Sequence, residues 1–133
     1  MLLIKTKVQP TQIKGAELGL FTLVDIAKGD KYWVRYEKFD KVISVEELNS
    51  YEPIVKKYVI NYGFQETETR WYLCGDNARF TNDEECPNTA QYFDEDRKLQ
   101  YCYALRDIKA GEEILCDYKD LCLTMKDGPP WRK

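Results

Sequence analysis

Apolar and polar residues alternate near both ends of this chain, whereas in the middle the apolar residues recur at helical spacing. In the run Tyr32 to Phe39, Tyr32, Val34 and Tyr36 oppose Trp33, Arg35 and Glu37 with a period of two, and Leu18 to Val24 is equally β-prone. Both runs predict strands. Between them lies Asp25-Ile26-Ala27-Lys28-Gly29-Asp30. Nearly the same pattern returns as Asp107-Ile108-Lys109-Ala110-Gly111-Glu112, between the runs Leu99 to Leu105 and Ile114 to Tyr118. Each copy reads as a polar turn whose glycine can take a positive φ.

In the middle, Ser44-Val45-Glu46-Glu47 fits a capping box, with Ser44 accepting from the backbone and Glu47 reaching back. A helix is expected from Val45. Pro53 interrupts it or opens a second one, whose Ile54, Val55, Tyr58, Val59 and Tyr62 keep one face until Gly63 stops it. Gln65 to Thr69 is polar and reads as a loop before a short strand at Trp71 to Cys74. The end of the chain, Lys126 to Trp131, carries Gly-Pro-Pro and reads as irregular, with Trp131 its natural anchor. The expected fold class is mainly β, in one domain spanning 1–133, with a helical insert at about residues 44–63 and a C-terminal tail over about 119–133.

Composition narrows the function. The 133 residues are 44% hydrophobic, enough for one compact core. Charged residues are mixed in sign with a net charge of −3, which excludes a broad electrostatic footprint for nucleic acid. No apolar run reaches membrane-spanning length, and Met1-Leu2-Leu3-Ile4 meets Lys5 too soon for a signal peptide, so an intracellular protein, cytoplasmic or nuclear, is expected. Five cysteines without a C-x-x-C pair argue for reduced thiols, neither a disulfide framework nor a zinc knuckle. The absence of histidine removes Ser-His-Asp and Cys-His chemistry and the commonest metal ligand together. No metal is expected; Asp83-Glu84-Glu85 reads as a solvated loop.

The remaining signal is Arg79-Phe80-Thr81-Asn82 followed by Pro87-Asn88, then Arg106-Asp107-Ile108, then Gly111-Glu112-Glu113-Ile114-Leu115-Cys116-Asp117-Tyr118. A turn-forming Asn-Pro-Asn segment alone would be unremarkable. The ordered set resembles the SET-domain protein-lysine methyltransferases, which carry R-F-x-N-H-S-C-x-P-N, then R-D-I-x-x-G-E-E-L, then D-Y. Leu18-Gly19-Leu20-Phe21-Thr22 is similar to the family's G-x-G-[LV]-F-A on the N-terminal side. Three departures stand out: Asp83 replaces the family histidine, Glu17 replaces the first glycine, and no cysteine cluster comes after Tyr118. The chain thus resembles a minimal member without the post-SET zinc module.

The resemblance implies a β-clip-like fold of small curved sheets with a pseudoknotted C-terminal segment that brings Asn82 to Tyr118. It implies S-adenosylmethionine as cofactor and a lysine-containing protein or peptide as substrate, histone-like or otherwise basic, with room for a homodimer to complete the peptide groove. Leu18, Gly19 and Leu20 would offer backbone groups to the methionine end of the cofactor, and Arg79 and Phe80 would support the pocket. Asn82 would bind through its amide, and the backbone around Asp83 would meet the adenine edge. Tyr118 would be the catalytic residue, its hydroxyl beside the transferring methyl. Trp33, Tyr36, Tyr58, Tyr62, Tyr103 and Trp131 are the aromatics available for a lysine channel. The chemistry is consistent with the missing histidine, because the transfer needs a neutral lysine, which desolvation provides, and alignment of two atoms. Two other readings remain open: a catalytically silent SET-like module that binds peptide, favoured by Glu17 and Asp83, and a β-rich structural domain.

Overall fold

The computed structural model describes residues 1–127 and is built from four small sheets. Strands β1 (Thr6–Pro10) and β2 (Leu18–Thr22) form an antiparallel pair in which Thr6 faces Thr22 and Pro10 faces Leu18. Strands β3 (Lys31–Val34), β8 (Thr89–Phe93) and β9 (Gln100–Ala104) form a sheet in the order β3-β9-β8. Strands β4 (Lys41–Ser44), β5 (Phe64–Thr67) and β6 (Arg70–Leu73) form another in the order β4-β6-β5. The last sheet is two short parallel strands, β7 (Asn82–Asp83) and β10 (Leu115–Cys116).

The two repeated turns pack against each other. Ile26 and Ile108 exchange backbone hydrogen bonds of 2.8 Å in both directions. The Lys28 amide donates to Asp107 and the Ala110 amide to Asp25, each at 2.9 Å. The reciprocity extends to the strands: the Gly29 amide donates to Ala104 and the Ala104 amide to Asp30, while Gly111 and Thr22, then Thr22 and Glu112, repeat the pattern. Gly29 and Gly111 adopt φ of 87° and 94°, as the turns require. The isoleucines drop into the main core beside Leu20, Tyr72 and Ile114.

Helix α1 (Val45–Ser50) starts where the capping pattern puts it, with the Ser44 hydroxyl accepting from the Glu47 amide at 2.9 Å. The Glu47 carboxylate turns forward to the Tyr51 hydroxyl and toward Lys41. Helix α2 (Pro53–Tyr62) begins at its proline and ends at Gly63. Its expected buried face is mostly open: Val59 is buried, but Ile54 is 74% exposed and Val55 and Tyr58 also face outward.

Several expected elements shift. The strand predicted to reach Phe39 ends at Val34, because the chain turns at Tyr36, whose carbonyl accepts from the Phe39 and Asp40 amides. The predicted loop Gln65 to Thr69 is largely strand β5. Its polar Glu66 is stabilised in the interior by Arg35 and Arg70, each at 2.6 Å, so charge pairing replaces apolar alternation there. The run Ile114 to Tyr118 keeps only β10 as strand, and Tyr118 opens a short helix, α3 (Tyr118–Leu121). Trp131 lies outside the described residues.

Residues 111–116 are held from several sides. The Ile114 amide donates to Leu20 of β2, and the Leu115 amide to the Asn88 side chain. Asn88 in turn donates to the Glu113 carbonyl, and Thr89 to the Leu115 carbonyl. The C-terminal segment therefore runs between β2 and the 82–89 region, the threaded arrangement expected of the fold.

Candidate functional site

Asn82 is 8% exposed, and both hydrogens of its amide are committed, one to the Leu18 carbonyl and one to the Glu113 carboxylate, each at 2.9 Å. These bonds tie β2, β7 and the C-terminal segment together at one point. Gly19 lies at the same place: a Cβ there would come within 2.1 Å of the Glu113 carboxylate and 3.1 Å of the Asn82 amide, so any side chain at 19 would displace Glu113 from its present contacts. Glu113 is held from the far side by the Thr11 hydroxyl, which lies 2.9 and 2.7 Å from its two oxygens.

Tyr118 reaches the same region from α3. Its hydroxyl donates to the Thr81 carbonyl at 2.7 Å, and its amide donates to the Asp83 carboxylate at 2.9 Å, so its two bonds flank Asn82. Asp83 is 4% exposed, which corrects its expected place in a solvated loop: the side chain turns inward because an amide awaits it. Glu85 does face solvent. Burial, with Cys116 and Asp83 nearby, pushes the Tyr118 phenol far above its ordinary range. It stays protonated at any physiological pH. With that proton held by Thr81, its oxygen acts toward other groups as an acceptor.

Thr81, Asn82, Asp83 and Tyr118 line a cavity of about 670 Å³, within the span of about 300–1,000 Å³ usual for small-molecule sites. Glu17, Leu18, Arg79, Asn82, Asp83 and Tyr118 all lie on its wall, so it brings together expected site residues from three distant segments. Arg79 donates to the Asp76 carbonyl at 3.0 Å and lies over the Phe80 ring. Leu20 is fully buried in the core behind the wall, and Gly19 fills the contact between Glu113 and Asn82. Among the described residues, four carboxylates on the wall (Glu17, Asp83, Asp117, Asp120) outnumber two cations (Lys14, Arg79), a balance that favours positive ligands.

Only some of the candidate aromatics reach the cavity. Trp33 and Tyr62 line the cavity, joined by Tyr32, Phe64, Trp71 and Phe80, whereas Tyr36 and Tyr58 are exposed and Tyr103 packs against Tyr101 on β9. Strand alternation explains Tyr103: Gln100 and Cys102 point to the cavity, so Tyr101 and Tyr103 take the other face. Thr11 gave no signal in the sequence, and Glu113 was visible only as part of its motif. Burial raises the Cys102 thiol to about 12, so it is a neutral wall residue. All five cysteines are free thiols, and among the described residues no cluster of three or more acidic, cysteine or histidine side chains could hold a metal. No described helix is long and apolar enough to cross a membrane.

Comparison with solved structures gives consistent matches. The Polycomb Repressive Complex 2 of Chaetomium thermophilum bound to GSK126 superposes with a TM-score of 0.69 at 22% identity, covering 93% of this chain and 17% of that one. An autoinhibited ctPRC2 bound to S-adenosylmethionine gives 0.66 at 22% identity, covering 88% and 15%. An apo ctPRC2 in an autoinhibited state gives 0.69 at 21%, covering 93% and 16%. The chain therefore spans under a fifth of the length of the chains it matches, and at these identities the likeness establishes the fold. No curated protein sequence matches the chain. The family model of the SET domain matches residues 17–119, most of the sequence. The chain belongs to the SET-domain family.

Proposed function

We propose that this protein transfers a methyl group from S-adenosylmethionine to a lysine side chain of a protein or peptide. The observation that carries the reading is the Tyr118 hydroxyl, fixed by the Thr81 carbonyl on the wall of a cavity that also holds Asn82 and the 17–18 backbone. The cavity fits the cofactor in size, and its excess of carboxylates suits both a sulfonium and an incoming ammonium. Asn82, Leu18 and the backbone of β7 would hold the cofactor, which supplies an electrophilic methyl when bound.

The protein's own part is alignment and desolvation. The Tyr118 oxygen accepts from the amine or from the polarised C–H groups, without acting as a base. Tyr32, Trp33, Phe64 and Trp71 provide apolar wall against which a lysine loses water and, with it, its preference for the charged form. Two departures from the family pattern are compatible with this reading: Asp83 accepts from the Tyr118 amide, and Glu17 is exposed while the glycine at 19 is retained.

Radiolabelled S-adenosylmethionine with a panel of basic proteins should label lysine. Tyr118→Phe should lower turnover by about 10²–10³-fold, the size typical for one preorganised polar group. Full activity of that variant would refute the assigned role. A second reading, a silent binding module, draws on the closed bonding of the Asn82 amide, which would serve structure alone. Calorimetry separates the two: peptide binding with no cofactor binding leaves only the module.

A further inference from the structure

We infer that Thr11 and Glu113 are positioning residues that set Asn82 to receive the positively charged end of the cofactor, an inference that rests on the methyltransferase reading. The Asn82 amide group can face either way, and its orientation decides whether the cavity meets a donor or an acceptor. The two neighbours of its nitrogen are both acceptors, the Leu18 carbonyl and the Glu113 carboxylate. Only the nitrogen can bond both, so the carbonyl oxygen of Asn82 is the atom left to meet a ligand.

Glu113 makes this choice one-sided. Among the described residues it has no cationic partner, and its contacts are the Thr11 hydroxyl and the Asn82 amide. A carboxylate compensated only by neutral donors projects a negative field through Asn82 toward the cavity. Thr11 holds that carboxylate in place while itself accepting from the Ile13 amide at 3.0 Å, which roots the hydroxyl in the loop between β1 and β2. The Asn82 oxygen is thus an oriented acceptor backed by a negative charge, chemistry best matched by a cationic donor such as the α-ammonium group of an amino acid and unsuited to a carboxylate.

The test uses calorimetry with two probes, S-adenosylhomocysteine, which carries the amino-acid end, and methylthioadenosine, which lacks it. Thr11→Val removes the hydroxyl at nearly constant shape and should weaken S-adenosylhomocysteine about tenfold, with methylthioadenosine within about twofold. Thr11→Ser keeps the hydroxyl and should restore the wild-type selectivity between the two. Equal weakening of both probes by Thr11→Val, or no change in either, overturns the positioning role while leaving cofactor binding intact. Failure of the wild-type protein to bind either probe overturns the methyltransferase reading itself, and this inference with it.

Discussion

The corner at 25–30 leads from β2 into β3 and the scaffold sheet, whereas the corner at 107–112 leads from β9 into Glu113, β10 and Tyr118. Their local chemistry is interchangeable: each buries its isoleucine, each aspartate accepts an amide of the other corner, and each glycine bonds the end of the other's preceding strand. They differ in the residues beyond the glycine. After Gly29 come Asp30, Lys31 and Tyr32 of the scaffold; after Gly111 come Glu112 and then Glu113, whose carboxylate occupies the space a side chain at 19 would need. A symmetric core device thus carries the site on one arm only.

The largest test of that symmetry is Ile26→Ala against Ile108→Ala. Each should cost about 2–5 kcal/mol in denaturant unfolding, as for other fully buried residues of this size. Because the two are bonded partners, the double variant should depart from additivity by more than about 0.5 kcal/mol. Strict additivity, or one cost far below the other, would show that the corners are not one unit. Gly29→Ala and Gly111→Ala come next. Nothing crowds either position, so backbone strain at positive φ is the whole penalty, about 1–3 kcal/mol for each. Only Gly111→Ala should also weaken cofactor binding, since only that corner feeds Glu113; equal binding loss in both would break the proposed division.

The smallest effect sharpens the same contrast. The Lys109 amide and Arg106 hold the Glu112 carboxyl below the usual carboxylate range. A depressed folded-state value contributes stability present above the unfolded value near 4.5 and lost as pH falls through the folded one. Glu112→Gln should therefore flatten stability below about pH 4.5 by a few tenths of a kcal/mol, since the group is largely solvated. An unchanged acid limb in stability measured against pH would remove Glu112 from the corner's electrostatics.

The corners were legible because a repeated hexapeptide with a glycine is a local signal, and α1 because its cap is. Asn82 and Tyr118 were legible through their motifs, although the β-prone run places Tyr118 at the end of a strand and the fold has it open a helix that Asp117 caps. Pairing across distance leaves no such local mark. Glu66 looks like a loop residue until Arg35 and Arg70 are seen beside it. Thr11 looks ordinary until the chain brings it to Glu113, and the apolar residues of α2 imply a buried face that the fold leaves mostly exposed.

The hydroxyl of Thr11 and the carboxylate it holds are 102 residues apart in the chain. During synthesis β1, β2 and the Asn82 turn emerge long before the strand that joins them, and the corner at 25–30 waits for its twin. The pocket accordingly closes only after residue 118 has left the ribosome, the late, non-local step that topology makes slow. A nascent chain stalled before Gly111 would display Gly19 and Asn82 without the wall that makes them a site.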